Sequence, residues 1–101
     1  MDAFTVVADP TRRRILDELR GQERTVSDLV TALGVNQPTV SKHLRVLREA
    51  RMVASAVDAQ RRRYRLDDEG LRELDEWVSA FRRLWTTRLD ALEAHLDRRS
   101  S

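Results

Sequence analysis

The sequence contains no cysteine, two prolines, three glycines and five percent aromatic residues in 101 positions. The missing cysteines exclude a disulfide scaffold, a thiolate zinc site and a redox thiol; a reducing cytosol is compatible with them, and a cytoplasmic location is expected. So little glycine and proline disfavours a β-rich or disordered chain and favours a helical one. No run approaches the roughly 20 apolar residues that a spanning helix needs. The opening MDAFTVVADPTRRR has no apolar core of the kind a signal peptide carries. There is no glycine-rich phosphate loop and no recognisable nucleophile–base pair, so an enzyme is not expected.

What the chain does have is charge, at 36% of residues with a net of +2. Its distribution is uneven. Between Asn36 and Arg65 stand Lys42, Arg45, Arg48, Arg51, Arg61, Arg62, Arg63 and Arg65 against only Glu49 and Asp58. That segment carries +6, which leaves −4 for the remainder. A basic middle in an acidic chain suggests a face for a polyanion.

Helix signals punctuate the first half. Asp2 to Ala8 forms a short segment with Phe4, Val7 and Ala8 on one face. Asp9-Pro10 reads as an N-cap followed by proline at the first helical position. The helix that follows runs through TRRRILDELR towards Gly21, with Ile15, Leu16 and Leu19 inward and Arg12 and Arg13 outward. Thr25 and Asp28 make a capping box for the next helix, which buries Leu29, Val30 and Leu33 and ends at Gly34. Asn36 caps a third helix across a tight turn, and Pro38 sits in its first turn, where the missing N–H costs nothing. Two short helices joined this way form a helix-turn-helix. On the helix spanning 36–50, Val40, Leu44 and Leu47 fall in one stripe. Pro38, Ser41, Lys42, Arg45 and Glu49 lie opposite, Gln37 and Arg48 flank them, and His43 stands at the margin.

After Ala50 the period shortens to two. Met52–Val57 and Arg63–Leu66 read as strands joined by the polar connection Asp58–Arg62, a hairpin whose tip lacks the glycine that tight turns favour. Asp67 then caps a long helix with apolar residues from Leu71 to Leu96 at steps of three and four, including Trp77, Phe81, Trp85, Leu89 and Leu92. About 30 residues of helix span about 45 Å, more than a domain built from the preceding residues can cover, so the stripe wants a second chain.

ADPTRRRILDEL (8–19), TVSDLVTALGVNQPTVSKHLRVLREARMV (25–53) and RRRYRLDDEGL (61–71) resemble the ArsR family of winged helix-turn-helix repressors. The tail WVSAFRRLWTTRLDALEAHL resembles a branch whose last helix carries spaced tryptophans. The resemblance implies a mainly α fold with a small β-hairpin and a homodimer on an inverted-repeat DNA operator. It implies a single domain over 1–101, with a DNA-binding core at 9–66 and dimerisation helices at 1–8 and 67–101. The helix 36–50 then reads DNA and the hairpin 53–66 is the wing. Expected DNA contacts are Gln37, Thr39, Ser41, Lys42 and Arg45 from the helix and Arg61, Arg62 and Arg63 from the wing. Thr39 has the alternative role of supporting the helix start, Arg12 and Arg13 are alternatives for flanking phosphates, and the expected dimer contacts are Phe4, Val7, Trp77, Phe81, Trp85, Leu89 and Leu92.

Two positions depart from the family pattern. Arg51 and Gln60 stand where the family usually has glycine. The cysteine pair of the family's metal sensors is replaced by Thr25-Val26-Ser27, and Asp90, Glu93, His95 and Asp97 do not have the spacing of its second site. No metal and no cofactor are expected, and the effector is open. A winged-helix protein adaptor with a solvated basic face and a low-specificity architectural DNA binder are the alternatives.

Overall fold

A computed structural model describes residues 1–100. Five helices and three strands follow in the order α1 (Ala3–Ala8), α2 (Pro10–Glu18), β1 (Arg24–Thr25), α3 (Val26–Leu33), α4 (Gln37–Glu49), β2 (Val53–Asp58), β3 (Arg61–Leu66) and α5 (Asp68–Ser100). It is a mainly helical winged helix-turn-helix with a long last helix.

The helix starts fall where short-range chemistry puts them. Asp9 accepts from the backbone N–H groups of Thr11 and Arg12, Thr25 and Asp28 exchange both bonds of the capping box, and Asn36 accepts from Thr39 N–H. α3 closes on Gly34 at φ 70°. α2 ends earlier than expected, at Glu18 with Leu19 as its C-cap; Leu19 N–H is shared between Ile15 O and Leu16 O, a tightened last turn, and Gly21 lies two residues further on at φ 74°.

Ile15, Leu19, Leu29, Val40, Leu44, Leu47, Met52 and Val53 form a fully buried core between α2, α3, α4 and the base of the hairpin. α1 contributes Ala3 and Val6 to the core, and Val7 packs against it. Phe4 turns outward and meets Trp77 of α5 edge-on, ring centroids 5.5 Å apart. Ala8 is exposed.

The sheet holds one strand more than expected. Arg24–Thr25 adds to the hairpin in the order β1-β3-β2, antiparallel throughout. β2 and β3 are also longer at the tip. Arg61 pairs with Asp58, so the connection is only Ala59-Gln60 rather than five residues. The strained position of this turn is Ala59, at φ 56°, not Gln60. At the other glycine-like position, Arg51 adopts φ 59° and closes α4 as a glycine would. Met52 N–H reaches Leu47 O at 2.9 Å and Arg51 N–H reaches Arg48 O at 3.0 Å, the paired bonds of a Schellman end.

α5 begins under Asp67, whose carboxylate accepts from Glu69 N–H at 3.0 Å. Leu71 and Leu74 pack on the core. Beyond them the stripe is uncovered: Trp77, Val78, Phe81, Leu84, Trp85, Leu89, Leu92 and Leu96 are all exposed, Trp85 at 61%. No helix of the described residues is long and apolar enough to cross a membrane.

Candidate nucleic-acid interface

α4 is held from beneath by Val40, Leu44 and Leu47, all buried, and from its start by the Asn36 cap. Its opposite face is left to solvent. Gln37, Pro38, Ser41, Lys42, Arg45 and Arg48 are exposed. Among the described residues, Gln37, Ser41, Lys42 and Arg45 make no side-chain hydrogen bond or ion pair. Thr39 is half-buried, and its backbone N–H is the one that Asn36 caps. This places Thr39 at the base of the helix start. A capped, well-seated helix with an amide, a hydroxyl and several cations on its open face is shaped for hydrogen bonding to a polar, anionic surface.

The wing arginines alternate between the two faces of β3. Side chains alternate along a strand, and the register pairs Val57 with Arg62, Ser55 with Tyr64 and Val53 with Leu66. Arg62 therefore shares a face with Tyr64, whereas Arg61 and Arg63 share the other with Arg65. Arg61 and Arg62 are exposed and border an open cleft with Thr25, Val26, Ser27 and Asp28 at the start of α3. Arg63 is half-covered and its Nε lies 3.5 Å from the Asp58 carboxylate, so its charge is partly compensated. Arg65, outside the expected contacts, is exposed beside them.

Arg12 is not outward. Its Nε donates to Val6 O at 2.7 Å and its other nitrogens lie 3.4 Å from Thr5 O and 3.5 Å from His43 Nδ1. The guanidinium thus closes the C-terminal end of α1 and touches α4. Arg13 is exposed, donating to Val7 O at 3.1 Å. No local signal announces the Arg12 contacts, because they depend on α1 folding back beside α4.

The carboxylates that cap helices are held ionised. Asp9 sits below the usual carboxylate range, chiefly through the N–H of Arg12, with help from the charge of His43, the N–H of Thr11 and the charge of Arg12. Asp28 is lowered by the N–H and hydroxyl of Thr25, then by the charges of Arg24 and Arg63. No group of three or more His, Asp or Glu side chains placed to hold a metal occurs among the described residues.

The family model described as bacterial regulatory protein, arsR family, matches residues 9–55, from the cap of α2 into β2. The chain is 37% identical over 95 residues to the HTH-type transcriptional regulator Rv2034 of Mycobacterium tuberculosis, covering 94% of this chain and 86% of the relative. It is 31% identical over 80 residues to the transcriptional repressor SdpR of Bacillus subtilis, covering 79% and 89%. Among solved structures, it superposes with TM-score 0.65 on the homodimeric winged helix-turn-helix DNA-binding domain of Mb0332 from Mycobacterium bovis, described as a possible ArsR-family transcriptional regulator. The two are 30% identical, and 78% of this chain and 73% of that one are covered. With the winged helix-turn-helix already in view, these matches converge: the chain belongs to the ArsR family of bacterial regulatory proteins, transcriptional regulators rather than enzymes.

Proposed function

We propose that this regulator acts as a homodimeric repressor that binds an inverted-repeat operator, reading each half-site with α4 and gripping the flanking backbone with the wing. The observation that carries the reading is the open face of α4: it is capped and packed from below, yet its outward amides and cations have no partner within the fold. Gln37 pairs bidentately with adenine, Ser41 and Lys42 reach base edges or phosphates, and Arg45 reaches guanine or a phosphate. Thr39 lies closer to the helix base and offers its methyl group to a thymine. Arg61 and Arg62 contact phosphates or a narrow minor groove, with Arg63 weakened by Asp58.

The dimer follows from the uncovered stripe. Phe4, Trp77, Phe81, Trp85, Leu89 and Leu92 form one long apolar surface, with Val7 of α1 half-buried against the core, and soluble monomers rarely leave so much apolar area exposed. Similarity to a homodimeric relative supports the pairing. In this division, 9–66 is the DNA-binding core and the segments 1–8 and 67–101 carry the dimerisation helices of one domain, with Ser101 outside the described residues. A soluble two-chain repressor of this kind works in the cytoplasm. The partners are a second copy and double-stranded DNA.

A gel-shift titration against the DNA upstream of the chain's own coding sequence tests this. A dimer that prefers that duplex to a scrambled one, with affinity falling steeply as salt rises, supports the reading. Equal affinity for both duplexes, or a lone subunit at micromolar concentration, overturns it.

A further inference from the structure

Three functional pieces meet at one point. α4 ends at Glu49 with Ala50 as its C-cap, the wing leaves at Val53 and returns at Leu66, and α5 starts at Asp68. The two turns at this junction lie backbone against backbone. Asp67 N–H donates to Met52 O at 2.9 Å, and Gly70 N–H donates to Arg51 O at 2.7 Å. An N–H in the first turn of a helix has no acceptor within that helix. Gly70 therefore spends its donor wholly on the end of α4.

Gly70 is helical and needs no left-handed backbone, unlike Gly21 and Gly34. Helix propensity alone favours alanine there. What the position needs is room. A Cβ would collide with the carbonyl oxygen of Ala50 and stand 2.7 Å from the carbonyl carbon and 2.8 Å from the carbonyl oxygen of Arg51. All three atoms are backbone, and Arg51 is itself pinned at φ 59° between the Schellman bonds and the bond from Gly70. Nothing on that side swings away as a flexible side chain would.

We infer that Gly70 is a positioning residue for DNA recognition: by letting α5 touch the end of α4, it fixes the angle between the dimerising helix and the reading helix, and so the separation of the two reading helices in the dimer. The inference rests on the proposed roles of α4 and α5. With α5 held in the dimer, the lever is α4 itself, whose 13 residues reach about 20 Å from the junction. A tilt of about 10° there moves its far end by about one base-pair step, and half-site spacing is fixed by that geometry.

The test compares the full-length wild type with Gly70→Ala on duplexes carrying the footprinted upstream repeat at its native spacing and at spacings altered by single base pairs. Sedimentation should show both proteins as dimers. Gly70→Ala should lose about ten-fold in affinity at the native spacing, the size of one mismatched contact, and lose less, or gain, at an altered spacing. An unchanged spacing preference overturns the inference, and so does a uniform loss at every spacing, which marks mere destabilisation. Should Gly70→Ala fail to fold, amide exchange on the wild type decides. The Gly70 N–H must exchange as slowly as the core amides of α4, and exchange at the rate of an open first-turn amide overturns the inference. A wild type that neither dimerises nor prefers its upstream DNA removes the underlying reading as well. A wild type that does both, beside an indistinguishable Gly70→Ala, removes this inference alone.

Discussion

The guanidinium of Arg12 stands between two helices, 2.7 Å from the carbonyl of Val6 at the end of α1 and 3.5 Å from Nδ1 of His43 on α4. It links the helix that meets Trp77 through Phe4 to α4, the helix proposed to read DNA. Arg12→Ala should therefore lower stability by about 1–2 kcal/mol, the range for hydrogen bonds to a charged group discounted for partial exposure, read as a lower urea midpoint. Arg12→Lys should recover only part, because an ammonium cannot serve several acceptors in a fork. A DNA-phosphate role would give the opposite pattern: an unchanged midpoint and a shallower salt dependence.

Arg51 carries its left-handed backbone without the permissiveness of glycine. Arg51→Gly should stabilise the fold by about 1 kcal/mol, the steric cost of that conformation for an L residue, less what the freer unfolded chain takes back. Thermal unfolding checks the sign, and a lower melting temperature would mean that the Arg51 side chain contributes more than its backbone costs.

The wing register separates three consecutive arginines into unequal roles. Arg62→Ala should reduce the slope of log affinity against log salt by about 1 per subunit, as the loss of one phosphate contact does. Arg63→Ala should change it less, since Asp58 already offsets that charge. Gln37→Ala should instead relax discrimination at one base position by about 1–3 kcal/mol with little change in salt slope. Titrations on matched and single-mismatch duplexes at several salt concentrations separate the two behaviours.

The capping carboxylates should contribute to the acid limb of stability. Asp9 and Asp28 are held below their ordinary range in the fold, so the unfolded chain takes up protons first as pH falls. Their contribution is complete above the ordinary carboxylate value of about 3.9 and is lost as pH drops through the lowered folded values. Asp9→Asn and Asp28→Asn keep an acceptor at each cap while removing the titration. Each should flatten the acid limb of an unfolding curve and leave the curve at neutral pH nearly in place. An acid limb unchanged in the double variant would assign it to other carboxylates.

Local chemistry made much of this fold legible. The caps at Asp9, Thr25 and Asn36 act within three residues, and the α4 stripe of Val40, Leu44 and Leu47 follows from helical period alone. The uncovered face of α5 was readable because the stripe is longer than the rest of the chain can bury. What escaped the sequence depends on distant residues. β1 is two residues long and exists only by pairing with Tyr64 and Arg63. Arg12 falls on the outward side by periodicity, and only the return of α1 gives it acceptors. Gly70 reads as a weak helical residue until the carbonyl of Ala50, twenty positions earlier, is seen against it. In the candidate interface, periodicity placed Gln37, Ser41, Lys42 and Arg45 together, but the two-residue tip that divides the wing arginines between opposite faces needed the register.

The bare outer length of α5 has a thermodynamic corollary. From Phe81 to Leu92 the large apolar side chains remain about half exposed, so this stretch draws little of its helicity from tertiary burial. Most helical stability in proteins comes from such burial. Whatever chain covers the stripe also keeps it wound, which makes association and folding of this segment a single equilibrium. Its melting curve must therefore move with protein concentration, and dilution must fray the tail rather than liberate an intact subunit.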